Sequence, residues 1–126
     1  MIVVLFNQKS LPLTEAVLLY RQNFKPLLHA VDKKELEKRL KLRATLQEDT
    51  TDWNCLQNRL YFTPAFIKIF QKPELVLWIA YECLSQILEK SDNGTTDVLQ
   101  VFTYNRRKCY AKAEDKHIVF LIPEDY

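Results

Sequence analysis

Residues 98–122 decide the fold. They read Val98-Leu-Gln-Val-Phe-Thr-Tyr104, Lys108-Cys-Tyr-Ala-Lys-Ala113 and His117-Ile-Val-Phe-Leu-Ile122, separated by Asn105-Arg106-Arg107 and Glu114-Asp115-Lys116. Successive side chains of a strand point to opposite faces, so period-two runs broken by short polar stretches predict a three-stranded antiparallel meander. In the middle run Cys109, Ala111 and Ala113 share one face, and Lys108, Tyr110 and Lys112 share the other. The last run is almost wholly apolar, which predicts pairing on both sides. Met1-Ile-Val-Val-Leu-Phe6 has the same unbroken apolar character and reads as a central strand, the expected second neighbour of the last run.

Upstream of the meander the spacing is helical. Pro73 opens the strongest element, predicted to reach about Lys90, with Val76, Ala80, Cys83, Leu84 and Ile87 on one face. Leu75, Leu77, Trp78, Ile79 and Leu88 widen that face until little polar surface is left, so this is the core helix. Ser91 to Gly94 ends it, the lone glycine supplying a left-handed residue. Thr63-Pro64 is a second helix start, a cap followed by proline at the first helical position. Asp52 is expected to cap a helix carrying Trp53, Leu56 and Leu60, after a polar loop over Gln47–Asp52. Asp32 and Glu35 suggest a capping box for a solvated helix from Lys33 to about Leu46, laced by Glu35–Arg39 and Glu37–Lys41 pairs. Thr14 should cap a first helix that stops near Lys25 because Pro26 follows, with a short piece from Pro26 to Ala30. The reading is one α+β domain over residues 1–126: an N-terminal strand, a helical middle and the meander. A helical domain with a hairpin wing is the alternative.

Composition narrows the function. Of 126 residues 48% are hydrophobic and 27% charged, enough apolar surface to exclude a disordered chain. A single glycine excludes collagen-like, P-loop and dinucleotide-fingerprint chemistry, each of which needs several. The net charge of +2 is low for a dedicated DNA-binding domain, so any nucleic-acid contact has to come from a local patch. Cys55, Cys83 and Cys109 form no C-x-x-C pair, which speaks against a disulfide framework and a structural zinc site. Three reduced thiols, at least two of them buried, are expected. The opening apolar run lacks the basic flank of an export signal, and Leu75 to Tyr81 is too short to span a bilayer. Asn93-Gly94-Thr95 matches the glycosylation sequon, read here as accidental. The expectation is a cytoplasmic protein with no membrane partner, no cofactor and no metal.

Three constellations could carry chemistry. Tyr104 to Lys112 places four cations and two rings on one hairpin. Arg106 and Arg107 would hold phosphates, Tyr110 would stack on an unpaired base, and Lys108 and Lys112 would steer the ligand. The bland account is an edge guarded against aggregation. The helix from Lys33 to Arg43 adds a second basic segment, in which Lys38 and Arg39 are the candidate contacts, although glutamates interleave with its cations. Trp53, Tyr61, Phe62, Phe66, Phe70, Trp78 and Tyr81 form an aromatic-rich stretch that is either core or a docking patch for a protein. Catalysis has thin support: His29 and His117 are the only histidines, and no G-x-S-x-G elbow occurs. The resulting expectation is a small non-catalytic binding subunit of a larger assembly, docking on a protein partner and contacting RNA or DNA through the basic hairpin. A metal-independent, toxin-like ribonuclease using the same hairpin and a pure protein–protein adaptor or inhibitor are the alternatives.

Overall fold

A computed structural model describes residues 11–23, 33–43, 49–70 and 73–126. The elements in chain order are α1 (Leu13–Asn23), α2 (Lys33–Arg39), β1 (Leu40–Arg43), β2 (Thr50–Asp52), β3 (Leu60–Phe62), α3 (Pro64–Ile69), α4 (Pro73–Lys90), β4 (Thr95–Asp97), β5 (Leu99–Tyr104), β6 (Arg107–Glu114) and β7 (His117–Leu121). The class is α+β. Five strands form one mixed sheet in the order β1-β5-β6-β7-β3, and β2 pairs with β4 in a separate ribbon. The β5-β6-β7 meander is antiparallel as its alternation dictates, while β3 joins β7 in parallel.

The core lies on one face of the sheet. Register sets each phenylalanine beside a small residue of β6, Phe102 against Cys109 and Phe120 against Ala111, which leaves room for the rings to lean together. Phe62 and Phe120 stack with centroids 5.3 Å apart, and Phe66 of α3 closes over Phe120 at 5.7 Å. All four of these phenylalanines are fully buried, each contributing about 1.5–3 kcal/mol of transfer free energy. Helix α4 supplies Val76, Ile79, Ala80, Cys83, Leu84 and Ile87 to the same core. Helix α1 docks on α4 through Tyr20, whose ring lies 5.4 Å from that of Trp78 and whose hydroxyl donates to Glu82 at 2.7 Å. No helix of the described residues is long and apolar enough to cross a membrane.

Several expectations change. The helix from Lys33 stops at Arg39 rather than near Leu46, because Leu40-Lys41-Leu42-Arg43 pairs with β5. Leu40 suits both periods, since it continues the Leu36 helical stripe and starts the Leu40/Leu42 strand alternation; the free edge of β5 decides for the strand. Lys41 is therefore not a helical partner of Glu37. Asp52 does cap, accepting from the Asn54 amide at 2.9 Å, but it opens one 3-10 turn over Trp53–Cys55. Leu60 belongs instead to β3, and Thr50–Asp52 of the expected loop is a strand. Trp53 ends that turn's freedom: it is buried, and its indole donates to the Asp97 carbonyl at 3.1 Å. Helix α1 begins at Leu13, so Thr14 lies inside it instead of capping it. The second neighbour of β7 is β3 rather than residues 1–6, which, like Pro26 to Ala30, lie outside the described residues.

The other starts and stops fall where the local chemistry puts them. Thr63 caps α3 through its hydroxyl, which accepts from the Phe66 amide at 3.2 Å. Gly94 has φ +92°, and a β-carbon there would collide with the Asn54 and Asp52 side chains.

Candidate nucleic-acid interface

The β5–β6 hairpin closes on the Tyr104–Arg107 pair, leaving Asn105 and Arg106 as a two-residue loop. Both have positive φ, 49° and 68°, the signature of the type I′ turn that matches the twist of paired strands. The Asn105 amide donates to the Arg39 carbonyl at 3.2 Å, so the hairpin tip is tied to the C-terminal end of α2. The sequence leaves the placement of the two basic segments open; this bond and the β1–β5 pairing bring them together.

Alternation then sorts the side chains. On β1, Leu40 is buried while Lys41 and Arg43 are exposed on the outer face of the sheet. Register places Lys41 beside Thr103 and Thr103 beside Lys108; the next row is Arg43, Val101 and Tyr110. Lys38, Arg39, Lys41, Arg43 and Arg106 line one groove of about 420 Å³, with Thr103 and Asn105, and no carboxylate borders it among the described residues. Within those residues, Lys38, Lys41, Arg43 and Arg106 form no ion pair. Arg39 meets Glu35 at 3.6 Å, the expected i,i+4 pair; both side chains are more than 40% exposed, so this contact neutralises little. Five cations in one depression sum to a local positive field that the net charge of +2 conceals.

The other candidates divide. Arg107 has the parity of Cys109 and lies on the far side of the hairpin tip from Arg106, beside α3, so the two arginines line different depressions. Lys108 and Tyr110 share the outer face, the ammonium 5.7 Å from the ring centroid. Tyr110 is half-buried and meets Tyr126 edge-on at 5.6 Å, leaving part of the ring for a stacking partner. Lys112 sits further along, outside the groove, 3.7 Å from Glu114 and over the Tyr126 ring at 5.4 Å. Lys41 and Arg43 are the groove cations that a helical reading misplaces; the Leu-Lys-Leu-Arg alternation is the signal that finds them.

The aromatic-rich stretch is core, not a docking patch. Trp53, Phe62, Phe66, Phe70 and Tyr81 are buried, and Tyr61 and Trp78 are partly covered. Among the described residues the large apolar side chains left exposed are Leu18, Leu19 and Tyr126. His117 lies 3.9 Å from Glu114 and edge-on to Tyr61, at the end of the sheet away from the hairpin tip; His29 lies outside the described residues. Cys83 and Cys109 are buried, and burial pushes the Cys109 thiol up to about 12. Cys55 is exposed, and its hydrogen bond to the Asp52 carboxylate, 3.3 Å, raises its pKa. No family model, no curated protein and no solved structure matches this chain.

Proposed function

We propose that this protein is a small non-catalytic binding subunit that contacts RNA or DNA through the groove between α2, β1 and the β5–β6 hairpin, as part of a larger cytoplasmic assembly. The observation that carries the reading is the lining: five cations from three elements, no carboxylate among the described lining residues, and the turn arginine exposed. Phosphates replace condensed counterions on such a surface, and the released ions drive binding. The ribonuclease alternative would use arginine, lysine and tyrosine of the same hairpin. It is the weaker reading, because no tyrosine lines the groove among the described residues and Tyr110 stands one row away. Docking on a protein partner belongs to the same proposal, with the buried aromatic stretch no longer its surface.

Fluorescence anisotropy with labelled RNA and DNA between about 50 and 200 mM salt tests the reading. Each phosphate contact contributes about −0.7 (single strand) to −0.9 (duplex) to the slope of log K against log salt. Arg43→Glu with Arg106→Glu should weaken binding and flatten that slope by about 1.4 or more. An unchanged slope in the double variant removes the groove from the interaction. Incubating the labelled RNA with the protein in EDTA separates binding from cleavage: intact RNA is expected, and cleavage lost in Arg106→Ala would move the assignment to an enzyme.

A further inference from the structure

A second depression lies across the hairpin tip. Lys68 of α3, Arg107 and Lys108 line it together with the apolar Ile69 and Ile122, and Glu124 stands as its one acid among the described residues; its volume is about 430 Å³. Lys68, Arg107 and Lys108 form no ion pair among the described residues. The row Lys41–Thr103–Lys108 crosses the sheet from the first groove to the second, since Lys41 lines one and Lys108 the other. Adjacent strands lie about 4.8 Å apart, so β1 and β6 are separated by about 10 Å along that row. Both volumes fall in the range of small-ligand pockets, the scale of a nucleotide rather than of a double helix.

From this we infer, resting on the reading above, that the ligand is a single strand that passes over the hairpin tip and places phosphates in both depressions. A flexible single strand can bend its phosphates into both hollows, each the scale of a nucleotide. A stiff duplex, with a persistence length of about 50 nm, holds its phosphates on a regular helix and settles into neither. Helix α2 has seven residues, about 10 Å of length, too little to lay a recognition helix along a major groove. A single strand turns freely at each backbone link, and the part of Tyr110 left uncovered, one row from the track, offers a stacking surface. The turn separates Arg106 from Arg107, and that divergence makes one hairpin serve two phosphate sites.

The test compares an oligonucleotide of about twelve nucleotides, a short one of about four, and the twelve-pair duplex, each against the full chain and its Lys68→Glu and Arg106→Glu variants. Lys68 is exposed on α3, and unchanged far-UV circular dichroism reports that the variant is folded. The single strand is expected to bind at least about tenfold tighter than the duplex. Lys68→Glu should weaken the long strand at least about threefold and leave the short one unaffected, whereas Arg106→Glu weakens both. Binding of the duplex equal to or tighter than the single strand, or a long strand indifferent to Lys68→Glu, overturns the inference and leaves the groove assignment standing. Absence of binding by every oligonucleotide overturns both.

Discussion

Among the described residues, four side-chain-bearing residues have positive φ: Asn93, Asn105, Asp115 and Arg106. Asparagine and aspartate tolerate the left-handed region through local hydrogen bonds; arginine has no such relief, and the conformation costs about 1–2 kcal/mol. The second position of a type I′ turn favours glycine, so the arginine stands there at the expense of stability. Strain of this kind gathers at functional sites. Arg106→Gly is expected to raise the stability by about 0.5–1 kcal/mol, after the added freedom of glycine in the unfolded chain offsets part of the relief. A urea midpoint shifted upward, together with weaker oligonucleotide binding, is the expected pair of results; a lower midpoint would show that the arginine sits there without strain. The residue types of this site are legible in the sequence, because four cations and two rings in nine residues are visible without a structure. Their directions are not. Arg106 and Arg107 are neighbours in the chain but face different depressions, since the first lies in the turn and the second begins a strand.

Among the described residues strand β1 is an edge of the sheet, and an exposed edge invites pairing with another chain. Lys41 and Arg43 are exposed on it, and charge of this kind guards an edge against pairing with another chain. Replacing both, Lys41→Val with Arg43→Val, should leave a flat apolar edge and cause concentration-dependent self-association in size-exclusion chromatography with light scattering. A variant that stays monomeric at every concentration would mean that the edge is protected by something other than these charges. The same strand shows where sequence reading stops. Helix α4 is legible from Pro73 to Lys90 because eighteen residues repeat one period, and α3 because Thr63-Pro64 is an unambiguous start. Strands of three or four residues hold too few repeats to declare a period. Leu36 and Leu40 look helical, Leu40 and Leu42 look extended, and the hydrogen bonds offered by a distant β5 decide. Trp53, Leu56 and Leu60 imitate a helical stripe for the same reason, whereas the chain makes a single 3-10 turn and then enters the sheet beside β7.

At the scale of the whole molecule, the buried acids with raised pKa values share one sign. Burial pushes Cys109 up to about 12 and Cys83 well above its ordinary value, and it raises Tyr81; burial with the neighbouring Glu82 carboxylate raises Tyr20. In the unfolded chain each thiol ionises near its ordinary value of 9.0, so above that pH the unfolded state releases protons that the native state retains. The contribution of these groups is intact below about pH 9 and is lost as the pH climbs towards 12. Urea midpoints are expected to hold from pH 7 to about 8.5 and then fall, and Cys109→Ala should reduce the fall. A midpoint independent of pH up to about 11 would contradict the burial of these groups.

The parallel seat of β3 also sets a timetable. Leu60 pairs with Ile118, about sixty positions later, and a ribosome adds roughly 5–20 residues per second. For roughly 3–12 s during its own synthesis the chain carries Leu60, Tyr61 and Phe62 before the β7 residues they pair with exist, while α4 and the first hairpin are still emerging. That interval is a window for chaperones or for misassembly with a neighbouring nascent chain, and slower translation between codons 62 and 118 lengthens it.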